Sequence, residues 1–226
     1  MTRRGIVIAI DGPAASGKSS TAAAVARELG AQHLDSGALY RALTALALEQ
    51  ESADPAALLR AADARGLELR EAGGALVPFL AGRDAEPLLR STAVNARVSE
   101  VSAWPQVRDW VNARLRQAAA GADVLVLDGR DIGTAVFPAA PVKVFLTATP
   151  AARARRRLLQ RGETPDADQV AREAARLAER DALDSARPVA PLRQAPDAVL
   201  LDTTALDFAG QVGEIVRLAR GRLPEL

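Results

Sequence analysis

The chain has 226 residues, 49% hydrophobic and only 3% aromatic, with 29 basic against 28 acidic side chains. That length suits one domain with an aliphatic core, and the near balance of charge gives no global pull toward nucleic acid or a membrane surface. There is no cysteine, and His33 is the single histidine, so disulfides, thiolate zinc sites and histidine-based metal centres are excluded.

The chain opens with the basic run Met1-Thr2-Arg3-Arg4, followed by a short apolar stretch. This order is that of a signal peptide, but the stretch is too short and no cleavage pattern follows. No apolar run approaches the roughly 20 residues a bilayer requires. The expectation is a cytoplasmic protein whose first strand covers 5–10.

Continuous apolar runs predict buried strands at 5–10, 124–128, 142–147 and 198–202. Helical spacing predicts helices over 18–29, 39–49, 105–119, 150–160, 167–183 and 208–220, with Pro105 and Pro150 at tolerated first-turn positions. Strands alternating with helices imply an α/β fold with a mainly parallel sheet. Two segments break that rhythm. Residues 67–70 and 75–80 flank Gly73-Gly74 as a small inserted hairpin, and the polar stretch 162–168 separates two arginine-bearing helices. His33, beside apolar Leu34, reads as structural, and Tyr40, Trp104 and Trp110 read as packing residues.

Gly12-Pro13-Ala14-Ala15-Ser16-Gly17-Lys18-Ser19 fits the phosphate-loop pattern G-x-x-x-x-G-K-[ST] at every specified position. An apolar strand precedes it and an amphipathic helix follows, the context in which backbone N–H groups and a helix start converge on a phosphate. Only two of the basic residues are lysines, Lys18 and Lys143. In a chain that otherwise uses arginine, a lysine at position 18 indicates that a slim, flexible ammonium is needed there. Residues 12–20, including Ser20, are therefore candidate ATP contacts. The Ser19 hydroxyl is a candidate Mg²⁺ ligand, with Asp35 or Asp128 acting through water.

Three further segments carry more specific information. They are 34–41 (Leu-Asp-Ser-Gly-Ala-Leu-Tyr-Arg), 128–134 (Asp-Gly-Arg-Asp-Ile-Gly-Thr) and 180–187 (Arg-Asp-Ala-Leu-Asp-Ser-Ala-Arg). With Phe137-Pro138, 189–192 and 202–204, they closely resemble bacterial cytidylate kinases over nearly the whole chain. The resemblance implies a three-layer P-loop kinase fold over 1–226, with a β-containing monophosphate-binding insertion at about 63–95 and a helical lid at about 153–175. It implies transfer of the γ-phosphoryl group of ATP to CMP or dCMP with Mg²⁺, in pyrimidine nucleotide metabolism. The expected partners are these nucleotides, without nucleic acid or membrane, and the expected state is a monomer.

By the same resemblance Arg41, Arg130 and Arg187 hold the acceptor phosphate, Ser36 is a further CMP contact, and Ser99, Arg108 and Asp131 read the cytosine edge. Arg180 and Asp184 match the ribose-contacting pair. Arg153 matches a lid residue on ATP, and Lys18, Arg130, Arg156 and Arg157 match the catalytic cations. The chemistry agrees with these roles: arginine forks clamp phosphate oxygens, and a carboxylate accepts from the cytosine amino group where uracil presents a carbonyl. Residues 161–163 depart from the longer polar turn of the family, and Leu183 stands where an arginine is frequent. Two other readings stay open: a regulatory P-loop nucleotide-binding protein, or a kinase of another small acceptor such as UMP or shikimate.

Overall fold

The computed structural model describes residues 5–51 and 53–224. In chain order the elements are β1 (Ile6–Asp11), α1 (Lys18–Leu29), β2 (Gln32–Asp35), α2 (Ser36–Glu49), α3 (Pro55–Ala64), β3 (Glu68–Ala72), β4 (Ala75–Leu80), β5 (Arg83–Asp84), α4 (Glu86–Leu89), α5 (Thr92–Val101) and α6 (Pro105–Gly121). There follow β6 (Val124–Gly129), a π-helical turn (Ile132–Val136), β7 (Val142–Thr147), α7 (Pro150–Gln160), α8 (Ala167–Ala186), β8 (Val199–Asp202) and α9 (Phe208–Arg222). The result is an α/β fold with a mainly parallel sheet, as the alternation of apolar runs and helical spacing implies. No helix among the described residues is long and apolar enough to cross a membrane.

The chain forms two compact units, one of Met1–Ile6 and Ala31–Leu125, the other of Val7–Gly30 and Val126–Leu226. In the second unit β1 pairs in parallel with β7, Asp11 opposite Phe145, and β7 pairs in parallel with β8. Val7, Ile8, Ala9 and Ile10 are all buried, which explains their unbroken apolar run. Helix α1 packs against α9, and α7 against α8. Ala14 of the phosphate loop, Ala154 of α7 and Leu177 of α8 form one buried cluster. Small residues at two of its three positions let the helices approach the loop closely.

In the first unit β3 and β4 form the expected antiparallel hairpin, Ala72 opposite Ala75. Gly73 and Gly74 take φ of 60° and 81°, the left-handed conformation that a two-residue hairpin turn of this hand requires. The backbone N–H of His33 donates to the carbonyl of Gly74 and seats the hairpin beside β2. Helix α2 packs on α5, α3 on α6. Asp35, Asp54 and Ser91 cap α2, α3 and α5 by accepting N–H bonds two or three residues on.

Candidate active site

The phosphate loop is built by backbone exclusion. A side chain at Gly12 would place its Cβ 2.1 Å from the Leu146 carbonyl oxygen, so only glycine fits. Gly17, at φ 92°, turns the chain into α1, and Thr21 Oγ1 donates back to its carbonyl at 2.9 Å. Gly12→Ala is expected to cost about 1–3 kcal/mol of folding stability through overpacking. A thermal unfolding curve should show a lower Tm, and calorimetry weaker ATP binding.

Lys18 is 8% exposed and its Nζ donates to the Pro13 carbonyl at 3.1 Å, which holds the ammonium over the loop. Ser19 Oγ donates to Asp128 Oδ2 at 2.6 Å, and Asp128, at the end of β6, is fully buried. A hydroxyl and a buried carboxylate in contact form the oxygen pair that suits Mg²⁺ beside a phosphate. Asp35, in the first unit, accepts from the Gly37 N–H at 2.8 Å and caps α2. Among the described residues no group of three or more His, Cys, Asp or Glu side chains could hold a metal ion.

Two of the α7 arginines grip the loop. Arg153 is buried; its Nη1 donates to the Ala14 carbonyl at 2.9 Å and its Nε to the Ala148 carbonyl at 3.2 Å. The same guanidinium pairs with Asp181 of α8, whose other oxygen accepts the Ala14 N–H at 2.9 Å. Arg156 reaches the Ser16 carbonyl at 3.3 Å and both the hydroxyl and the carbonyl of Thr203. Arg157 is half-buried and Arg155 exposed. The turn after α7 closes through Arg161, which pairs with Glu163 and with the buried Glu173. Asp166 and Gln169 then start α8 with a reciprocal capping box.

After β6 the chain enters the segment Gly129-Arg130-Asp131. Arg130 Nε donates to Asp184 Oδ2 at 3.0 Å, so the expected phosphate clamp and the expected ribose contact meet side by side. Arg187 Nε donates to the Asp184 carbonyl at 3.2 Å, and Arg180 is half-buried on the same helix. Asp131 is 4% exposed, and its carbonyl accepts the Ala135 and Val136 N–H groups of the π-helical turn.

In the first unit, Ser36 is buried at the start of α2, and Arg41 Nη1 donates to Asn95 Oδ1 of α5 at 2.6 Å. Arg108 of α6 is 2% exposed, with its guanidinium 5.5 Å from the centre of the Tyr40 ring. Its Nη1 donates to the Ser102 carbonyl at 3.1 Å, and Ser102 Oγ donates to the Ser99 carbonyl at 3.1 Å. Ser99, Ser102 and Arg108 thus belong to one chain of contacts at the α5–α6 junction. Tyr40, expected to pack, packs under a buried cation.

The cytidylate kinase family model matches residues 8–221. The chain belongs to the cytidylate kinase family. It is 44% identical over 220 residues to the cytidylate kinase of Mycobacterium avium (strain 104), covering 96% of each chain. It is also 44% identical over 226 residues to that of Geobacillus kaustophilus (strain HTA426), covering 98% of this chain and 99% of the other.

Within this cytidylate kinase family chain, three polar residues beyond the sequence-based set hold the site elements. Asn95 anchors Arg41, Asp181 joins Arg153 to Ala14, and Asp11 binds the segment after Asp131. Only Asp181 carries a sequence signal, as part of the 180–187 motif; the others are isolated residues whose partners lie far along the chain.

Asp11 Oδ1 accepts the Ile132 N–H at 2.8 Å and Oδ2 the Gly133 N–H at 2.7 Å. Burial pushes its carboxyl up to about 6 from an ordinary 3.8; the two backbone bonds and Lys18 oppose that rise, while the charge of Asp131 adds to it. Because the folded state holds this proton more tightly than the unfolded chain, the associated stability is present below pH 3.8 and lost as pH rises through 6. The stability of the wild type relative to Asp11→Asn is therefore expected to rise by about 2 kcal/mol from pH 7 to pH 4. Paired urea titrations check this, and a flat or falling difference would contradict it.

Proposed function

We propose that the chain transfers the γ-phosphoryl group of ATP to CMP or dCMP, giving ADP and CDP or dCDP. The observation that carries this reading is the family match over 8–221, in a chain whose phosphate loop is built around Lys18. The P–O bond between the γ-phosphorus and its bridging oxygen breaks, and one forms to an oxygen of the acceptor phosphate. That oxygen already lacks its proton, so no dedicated general base is required, and positioning with charge neutralisation carries the rate.

In this reading residues 12–20 cradle the ATP phosphates, and Lys18 spans the β- and γ-oxygens. Ser19, and Asp128 through water, would hold Mg²⁺, which supplies charge neutralisation when bound. Arg130, Arg156 and Arg157 neutralise charge that spreads over the transferring group. The contacts of Arg153 with Ala14 support a second task for it, fixing the shape of the loop on which ATP sits. Ser36, Arg41, Arg130 and Arg187 take the acceptor phosphate, and Arg180 and Asp184 the sugar. Ser99, Arg108 and Asp131 take the base. A cytoplasmic location and a monomeric state belong to the same proposal.

A test that separates this reading from a regulatory P-loop protein is acceptor-dependent turnover. ADP release from ATP is expected to require CMP. Equal ADP release with and without CMP would point to a switch or a motor.

A further inference from the structure

We propose that Asp11 is a positioning residue that ties the phosphate loop to the base-recognition segment, holding Asp131 in register with the site. This rests on the reading of Asp131 as the residue that recognises the base. Asp11 ends β1 and directly precedes Gly12, so its backbone is fixed by the same sheet register and steric exclusion that fix the phosphate loop. Its side chain, 5% exposed, reaches across to the two amide groups that follow Asp131, one on each oxygen.

Those two amides begin the π-helical turn, so their N–H groups have no partner within it, and a buried unpaired donor is costly. A carboxylate with one oxygen for each is the complementary acceptor. The turn is also held from its far end. Lys143, the only lysine besides Lys18, is 4% exposed; it donates to the Pro138 carbonyl and to both oxygens of Asp197. A Cβ on Gly133 would stand 3.1 Å from Lys143 Cδ and 3.4 Å from Asp11 Oδ2, so the turn is seated tightly between the two anchors. π-helical turns are rare and occur frequently at functional sites. Here the aim of Asp131 depends on a residue of the phosphate loop's own strand, so the phosphate loop and Asp131 share one frame within the second unit.

Asp11→Asn keeps the shape but presents an amide NH₂ to one of the two N–H donors. Gly133→Ala crowds the same bonds from the other side, against Asp11 Oδ2 and Lys143 Cδ, while leaving the Asp11 carboxylate itself in place. A misplacement of the order of 1 Å can cost about 100-fold in rate. Each variant is expected to raise KM for CMP and lower the CMP/UMP ratio of kcat/KM at least about tenfold, with KM for ATP changed less than about threefold. In an Asp131→Ala background, Asp11→Asn is expected to lower that ratio no further, because the two residues act as a unit. Thermal unfolding at pH 7.5 monitors folding of each variant. If Asp11→Asn does not fold, Gly133→Ala carries the test.

Folded variants with an unchanged CMP/UMP ratio would overturn the inference. So would equal rises in KM for both nucleotides, which would assign Asp11 to the fold alone. A wild type without CMP preference would overturn the base assignment itself, and this inference with it.

Discussion

Lys18→Ala is expected to lower kcat with ATP and CMP by about 10²–10³-fold, the cost of removing one preorganised charge from a transition state. The residue is buried against the loop it serves, with its ammonium on the Pro13 carbonyl. No neighbouring lysine can substitute, since Lys143 is committed to Asp197 and Pro138. Lys18→Arg is not expected to restore the rate, because a planar fork cannot follow the narrow path of the ammonium over the loop. CMP affinity is expected to change less than about threefold, since the assigned CMP contacts do not include Lys18. Turnover within about tenfold of wild type would remove Lys18 from the catalytic set. Single-turnover kinetics together with CMP calorimetry separate these outcomes.

Asp131→Ala is expected to act on the other substrate. Cytosine offers an amino donor where uracil has a carbonyl, and a buried carboxylate accepts from the first and repels the second. A hydrogen bond to a charged group is worth about 1.5–3 kcal/mol, so kcat/KM for CMP is expected to fall about 10–100-fold. The fall for UMP is expected to be smaller, and KM for ATP nearly constant. The backbone bonds of Asp131 to Ala135 and Val136 survive the substitution, so the turn retains its main-chain support. Equal losses for CMP, UMP and ATP would show that Asp131 serves the fold.

How far these residues are legible in sequence depends on how local their reasons are. The phosphate loop and α1 are legible residue by residue, because strand, glycines, lysine and helix lie within one short stretch. β7 and α7 likewise have the boundaries that their apolar run and proline start imply. α3 and α5 are not legible in the same way. In α3 alanines on every face blur the periodicity, although Asp54-Pro55 and Gly66 bracket it with start and stop signals. In α5 valine, asparagine and serine weaken the helical signal, and packing on α2 decides the outcome.

The site shows the same division. Motif residues such as Lys18, Arg130 and Asp131 can be named from the chain. The groups that orient them cannot, since Asp11 and Asp181 find their partners 121 and 167 residues away. Arg153 illustrates the cost: its place in an arginine-rich helix suggests the nucleotide, while its buried contacts are with the loop beneath.

The most direct test of the central claim is ADP release by the wild-type chain with ATP and Mg²⁺ across CMP, dCMP, UMP, AMP and shikimate. CMP and dCMP are expected to exceed every other acceptor by at least about tenfold in kcat/KM, as a hydrogen-bonded base site requires. UMP, AMP or shikimate turned over as well as CMP would contradict the assignment.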